Sequence, residues 1–105
     1  MAPRTPRLAQ LEALLAEEPN DPELRYFLAM EYLSTGDEAT AAAKLGAVTA
    51  DSDYVPAFLQ AGQVLARLGR AAEAAAVLRR GIEHARRQGN VHAQGEMEGL
   101  LATLE

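Results

Sequence analysis

The sequence matches itself at a step of 33 residues. Leu33-Ser34-Thr35-Gly36-Asp37 falls over Ala66-Arg67-Leu68-Gly69-Arg70, so that Gly36 and Gly69 coincide. The same shift sets Leu28-Ala29 over Ala61-Gly62, Tyr32 over Leu65, Ala41 over Ala74 and Leu45 over Leu78. A step in this range marks an array of supersecondary units, each too small to bury its apolar face alone. Each unit reads as a helix, a tight glycine turn, a second helix and a short connection. Nothing else in the chain narrows the fold so far.

Composition agrees with helices packed closely. Of the 105 residues 49% are hydrophobic but only 5% aromatic, and alanine runs such as Ala41-Ala42-Ala43 and Ala74-Ala75-Ala76 carry much of that share. Alanine is the best helix former and a weak core filler. The length suits one domain with a single core. The absence of cysteine excludes a disulfide scaffold, a thiolate metal site and a thiol nucleophile.

Local signals place the helices. Asp21-Pro22 is an N-cap acid followed by a proline whose missing N–H costs nothing at a helix start. Asp37, with Glu38 behind it, is expected to cap the next helix. Asp53 is expected to cap the third, with Pro56 in its first turn. Gly89-Asn90 ends the long helix that precedes it. Ala29, Ala41, Gly62 and Ala74 stand where two helices of a hairpin approach closely. The first helix of each unit is apolar around most of its circumference, which predicts a buried or partner-facing helix. The second helices carry one stripe, such as Ala74, Ala75, Leu78, Ile82 and Ala85, which suits an outer layer. Val91 to Leu104 lies outside the repeat, with a stripe at Ala93, Met97, Leu100, Leu101 and Leu104.

These residues resemble the tetratricopeptide repeat, whose pattern is W-x2-L-G-x2-Y, then A-x3-F, then P. The first unit offers Arg25-x2-Leu28-Ala29-x2-Tyr32 and Ala41-x3-Leu45; the second offers Phe58-x2-Ala61-Gly62-x2-Leu65 and Ala74-x3-Leu78. Leu11 and Pro19 stand at the spacing of a preceding second helix and its closing proline. Arg25 replaces the pattern's tryptophan, and Asp53 and Arg86 stand where the proline would fall. The fold expected is all-α, a tetratricopeptide-type solenoid of helical hairpins with about six helices. One domain spans 1–105: a half-repeat helix over 6–18, units over 22–53 and 55–88, and a capping helix over 91–104.

Catalytic chemistry finds little support. The chain has no nucleophile elbow, phosphate loop, dinucleotide fingerprint or His-Glu-x-x-His. His84 and His92 are its only near-neutral bases and fall on different elements. His92 and Glu96 share a helix face, but two ligands make a poor zinc site. We expect no enzyme, no cofactor and no metal. Net charge is −5, spread unevenly. Ten acids lie between Glu12 and Asp53 against Arg25 and Lys44, while six arginines lie between Arg67 and Arg87 against Glu73 and Glu83. Arg79, Arg80, Arg86 and Arg87 are able to track phosphates. The acidic chain and the lack of interleaved aromatics argue against nucleic acid. No apolar stretch is long enough for a membrane span. Arg4 and Arg7 precede no apolar segment of a secretory signal, because Glu12, Glu17 and Glu18 interrupt it. A cytoplasmic protein of a GC-rich bacterium is expected, its cations being nearly all arginine.

The resemblance implies that the first helix of each unit lines a groove holding a peptide or a partner's helix. Carried over, the groove residues are Tyr26, Met30 and Leu33, then Leu59, Gln63 and Arg67. Helical spacing sets 26, 30 and 33 on one face, and 59 and 63 on another. Family members that grip a C-terminal carboxylate do so with Lys, Asn and Arg. The corresponding places here hold Tyr26, Met30 and Gln60, so no such clamp is expected. The expectation is a protein-interaction module with a protein or peptide partner. Its alternatives are a homodimer joined through the groove or the charge asymmetry, and an accessory subunit completed by another chain. A further alternative makes Tyr26, Met30, Leu33 and Leu59 core, covered by a terminal helix.

Overall fold

A computed structural model describes residues 4–105. Within them the chain forms six α-helices and no strand: α1 (Pro6–Glu17), α2 (Pro22–Ser34), α3 (Glu38–Asp51), α4 (Val55–Arg67), α5 (Ala71–Arg87) and α6 (Val91–Leu104). Sequence neighbours pack together throughout, α2 with α3 and α4 with α5 as hairpins.

One turn is used three times. Gly36, Gly69 and Gly89 have φ of +87°, +77° and +71°, a conformation that costs glycine nothing. In each case the residue after the glycine donates its N–H back across the helix end: Asp37 to Tyr32, Arg70 to Leu65, Asn90 to Ala85. The glycine N–H donates to Leu33, Ala66 and Arg86 respectively. This is the Schellman arrangement, which satisfies the orphan carbonyls of a helix terminus.

Polar side chains cap α2, α3 and α6, whereas α4 and α5 start without a side-chain cap. Asp21 accepts from the N–H groups of Glu23 and Leu24, Asp37 from Thr40, and Asn90 from Ala93. Asp53 does not cap α4. That helix begins at Val55 behind Tyr54, with no side-chain cap. Pro56 has no N–H to offer, and that of Ala57 is taken by the Tyr54 carbonyl. Asp53 is engaged through its own carbonyl, which accepts from Nε2 of Gln88 at 2.8 Å.

The core centres on α4. Phe58, Val64, Leu45, Val48, Leu78 and Met97 are fully buried around it, contributed by α3, α4, α5 and α6. Ala29, Ala41 and Ala74 are wholly buried, as small residues at helix crossings should be. A second cluster of Leu8, Leu11 and Leu28, flanked by Leu15, Leu24 and Tyr32, docks α1 onto α2. Thr5 caps α1 through the Leu8 N–H and donates its hydroxyl to Glu31 of α2 at 2.9 Å.

Burial separates the two first helices. Seven residues of α4 are buried, but in α2 only Leu28 and Ala29 are. The reason is the order of the elements. A front helix is covered when another front helix packs beside it on either hand. α4 packs against α3, α5 and α6, whereas α2 packs against α3 and α1, the latter at Leu28.

Candidate interaction site

The apolar residues of α2 that the core does not consume define the candidate site. Tyr26 and Leu33 pack against the core, as does Leu59 of α4. Tyr26 meets Tyr54 edge to face, with ring centroids 5.3 Å apart, and Phe27 at 5.8 Å. Such aromatic contacts add modestly to the area they bury. Burial pushes the Tyr26 hydroxyl above the ordinary tyrosine range. Tyr54 is raised for the same reason first, then by the negative charge of Glu23 and by Tyr26.

Of the six sequence candidates, Tyr26, Met30, Leu33, Leu59 and Gln63 are half-buried and Arg67 is exposed. Tyr26, Leu33 and Leu59 among them rest against the core. Of the terminal helices, α1 packs on α2 through Leu8 and Leu11, and α6 packs on α4 and α5. The most exposed apolar group in α2 is Phe27, at 37%. Sequence reasoning missed it. Glu23, Phe27, Met30 and Ser34 recur at i, i+4, i+7 and i+11, a single helical stripe, and that spacing was the available signal. At the far end Arg67 Nε lies 3.4 Å from Glu38 Oε1, so its charge is already partnered.

Comparison with known proteins agrees with this architecture. A family model described as a tetratricopeptide repeat matches residues 1–49. A tetratricopeptide repeat domain protein from Salinibacter ruber is 30% identical in its crystal structure, over 80% of this chain and 94% of that one, with a TM-score of 0.74. Its solution structure gives 32% identity over 83% and 89%, with a TM-score of 0.76. The chain belongs to the tetratricopeptide repeat family. A protein from Bordetella parapertussis, solved in solution, is similar over 96% of this tetratricopeptide chain and 89% of its own, at 25% identity and a TM-score of 0.76. No curated protein matches.

The charges of this tetratricopeptide protein are largely spent on itself. Arg4 pairs with Glu12, Arg7 with Glu31, Arg25 with Asp51, Arg70 with Glu73 and Arg79 with Glu105. Glu83 takes Arg86 and Arg87, while Arg79 reaches Glu105. Arg80 donates to the Thr49 carbonyl and lies over the Phe58 ring at 5.4 Å. The arginine row along α5 therefore faces carboxylates and a carbonyl of its own chain.

The histidines have local partners as well. His84 packs against the Phe58 ring, with centroids 4.9 Å apart, and His92 Nε2 lies 3.0 Å from Glu96. Among the described residues no three His, Asp or Glu side chains gather as a metal site would require. No helix among them is long and apolar enough to cross a membrane.

Proposed function

We propose that this tetratricopeptide protein is an interaction module that holds an apolar segment of a protein partner along the open face of α2 and α4. The segment, a peptide or one side of a helix, rests on Tyr26, Phe27, Met30, Leu33 and Leu59, with Gln63 and Arg67 beyond them. The observation that carries this reading is Phe27, exposed between the half-buried Tyr26 and Met30 on the side of α2 away from Leu28 and Ala29. Apolar surface of this kind is normally withdrawn from water unless it binds something. A flexible Met beside rigid aromatics adapts to an apolar helix. Solenoid repeats as a class work through such extended surfaces.

The places of a carboxylate clamp hold Tyr26, Met30 and Gln60, so affinity rests on apolar contact and depends little on salt. In this reading the protein is not an enzyme and needs no cofactor or metal. Its working place is the cytoplasm of a bacterium, a setting that a cysteine-free chain suits. A homodimer through the same face and an accessory subunit are the other forms that face allows.

Site-specific photo-crosslinking tests the reading. A photoreactive phenylalanine analogue at position 27 or 30 should trap a partner in cells, and the same group at the exposed Leu14 or Val91 should not. Trapping at 14 or 91 alone moves the binding surface to the terminal helices and overturns the proposal.

A further inference from the structure

The two repeat units differ at one place in a way that leaves a hole. In the second unit Phe58 is fully buried, with Val48 and Val77 buried near it and the Arg80 guanidinium over its ring. Shifting back by 33 residues sets Arg25 at the place of Phe58, Leu15 at Val48, Lys44 at Val77 and Ala47 at Arg80. The ring is replaced by a flexible cation, and the residue that covers the ring by a methyl group. The result is a cleft of about 230 Å³ between α1, α2 and α3, lined by Leu15, Pro19, Arg25, Leu28, Lys44 and Ala47. A dry cavity of ~150 Å³ already admits benzene.

We propose that this cleft is a ligand site, distinct from the open face of α2 and α4, that takes a small carboxylic acid with a short branched or aromatic apolar tail. The lining is divided as such a ligand is. Leu15, Pro19, Leu28 and Ala47 supply apolar walls, and Arg25 and Lys44 supply two cations. Lys44 alone among the described lysine and arginine residues has no carboxylate or carbonyl partner, and its ammonium lies 5.4 Å above the Tyr32 ring. Arg25 is mostly buried, while its partner Asp51 Oδ1, 2.8 Å away, is mostly exposed. A ligand carboxylate on the Lys44 side of the cleft replaces water around that ammonium, while Arg25 stays with Asp51. A tail the size of one leucine or phenylalanine side chain uses up the volume, which favours a free acid over the end of a long peptide.

Titration of the ¹⁵N-labelled chain with 4-methylpentanoate tests this directly. Saturable shifts should be confined to the amides around Leu15, Arg25, Lys44 and Ala47, and 4-methylpentanamide, of the same shape without the charge, should bind about tenfold more weakly. Lys44→Gln should weaken the acid by a similar factor. Arg25→Phe, which restores the ring of the second unit, should abolish binding with no loss of melting temperature. Should that variant misfold, Lys44→Gln and the neutral amide still decide. Equal binding of acid and amide, or no saturable shift, overturns the proposal. So does tighter binding of a short peptide ending in leucine, which would assign the cleft to chain termini.

Discussion

Leu78 lies so close over Gly62 that a β-carbon at position 62 would fall 2.4 Å from its Cδ2 and 2.6 Å from its Cγ. Leu78 is itself fully buried, so it has no solvent to move into. This contact sets the spacing of the α4–α5 hairpin. Gly62→Ala should therefore destabilise the fold, and Gly62→Leu should cost about 1–3 kcal/mol, despite the better helix propensity of both. Urea unfolding followed by circular dichroism measures it. A variant as stable as the parent would mean that the helices do not meet there.

Met97 does for α6 what Phe58 does for α4. It is fully buried, and its sulfur would lie 2.6 Å from a β-carbon at Gly81. Met97→Ala should cost about 2–5 kcal/mol, because the crossing backbones cannot collapse into the space. Hydrogen exchange should show α6 losing protection before α2 and α3 do.

Asp37 carries a pH signature. Hydrogen bonds from Thr40, by its side chain and then its backbone N–H, hold the Asp37 carboxyl below the ordinary aspartate range. In the unfolded chain that carboxyl returns to the ordinary range. Its contribution to stability is therefore complete above that range and is lost as pH falls through the lower, folded value. The gap in melting temperature between the parent and Asp37→Ala should be constant near neutral pH and narrow steadily in acid. A gap that widened in acid would contradict the assignment.

The arginines of α5 should not drive self-association. Arg79, Arg86 and Arg87 are paired with carboxylates of their own chain, and Arg80 with a carbonyl. Raising salt to 1 M shortens screening to ~3 Å and would dissolve a dimer built on opposite charges. Sedimentation velocity should give the same coefficient at low and high salt. A fast species present only at low salt would restore the head-to-tail pairing of acidic and basic halves.

What the sequence determined by itself is what neighbours along the chain decide. The glycine turns at 36, 69 and 89, the caps at Asp21 and Asp37, and the small residues at the crossings were legible. Each depends on contacts within a few residues or on a spacing that repeats. Family and fold class followed from that spacing. Tertiary structure alone decided the rest. The 33-residue match does not show that α2 packs mainly on α1 and α3, nor that Phe27 is left in water. Nor does it show that Gln88 engages the Asp53 carbonyl, that Glu105 takes Arg79, or that Glu38 takes Arg67, since these partners lie 26 to 35 residues apart. Arg25 was legible as a departure from the pattern, but the cleft beside it was not. A void exists only where several helices fail to fill a common space, and no single stretch of chain records that.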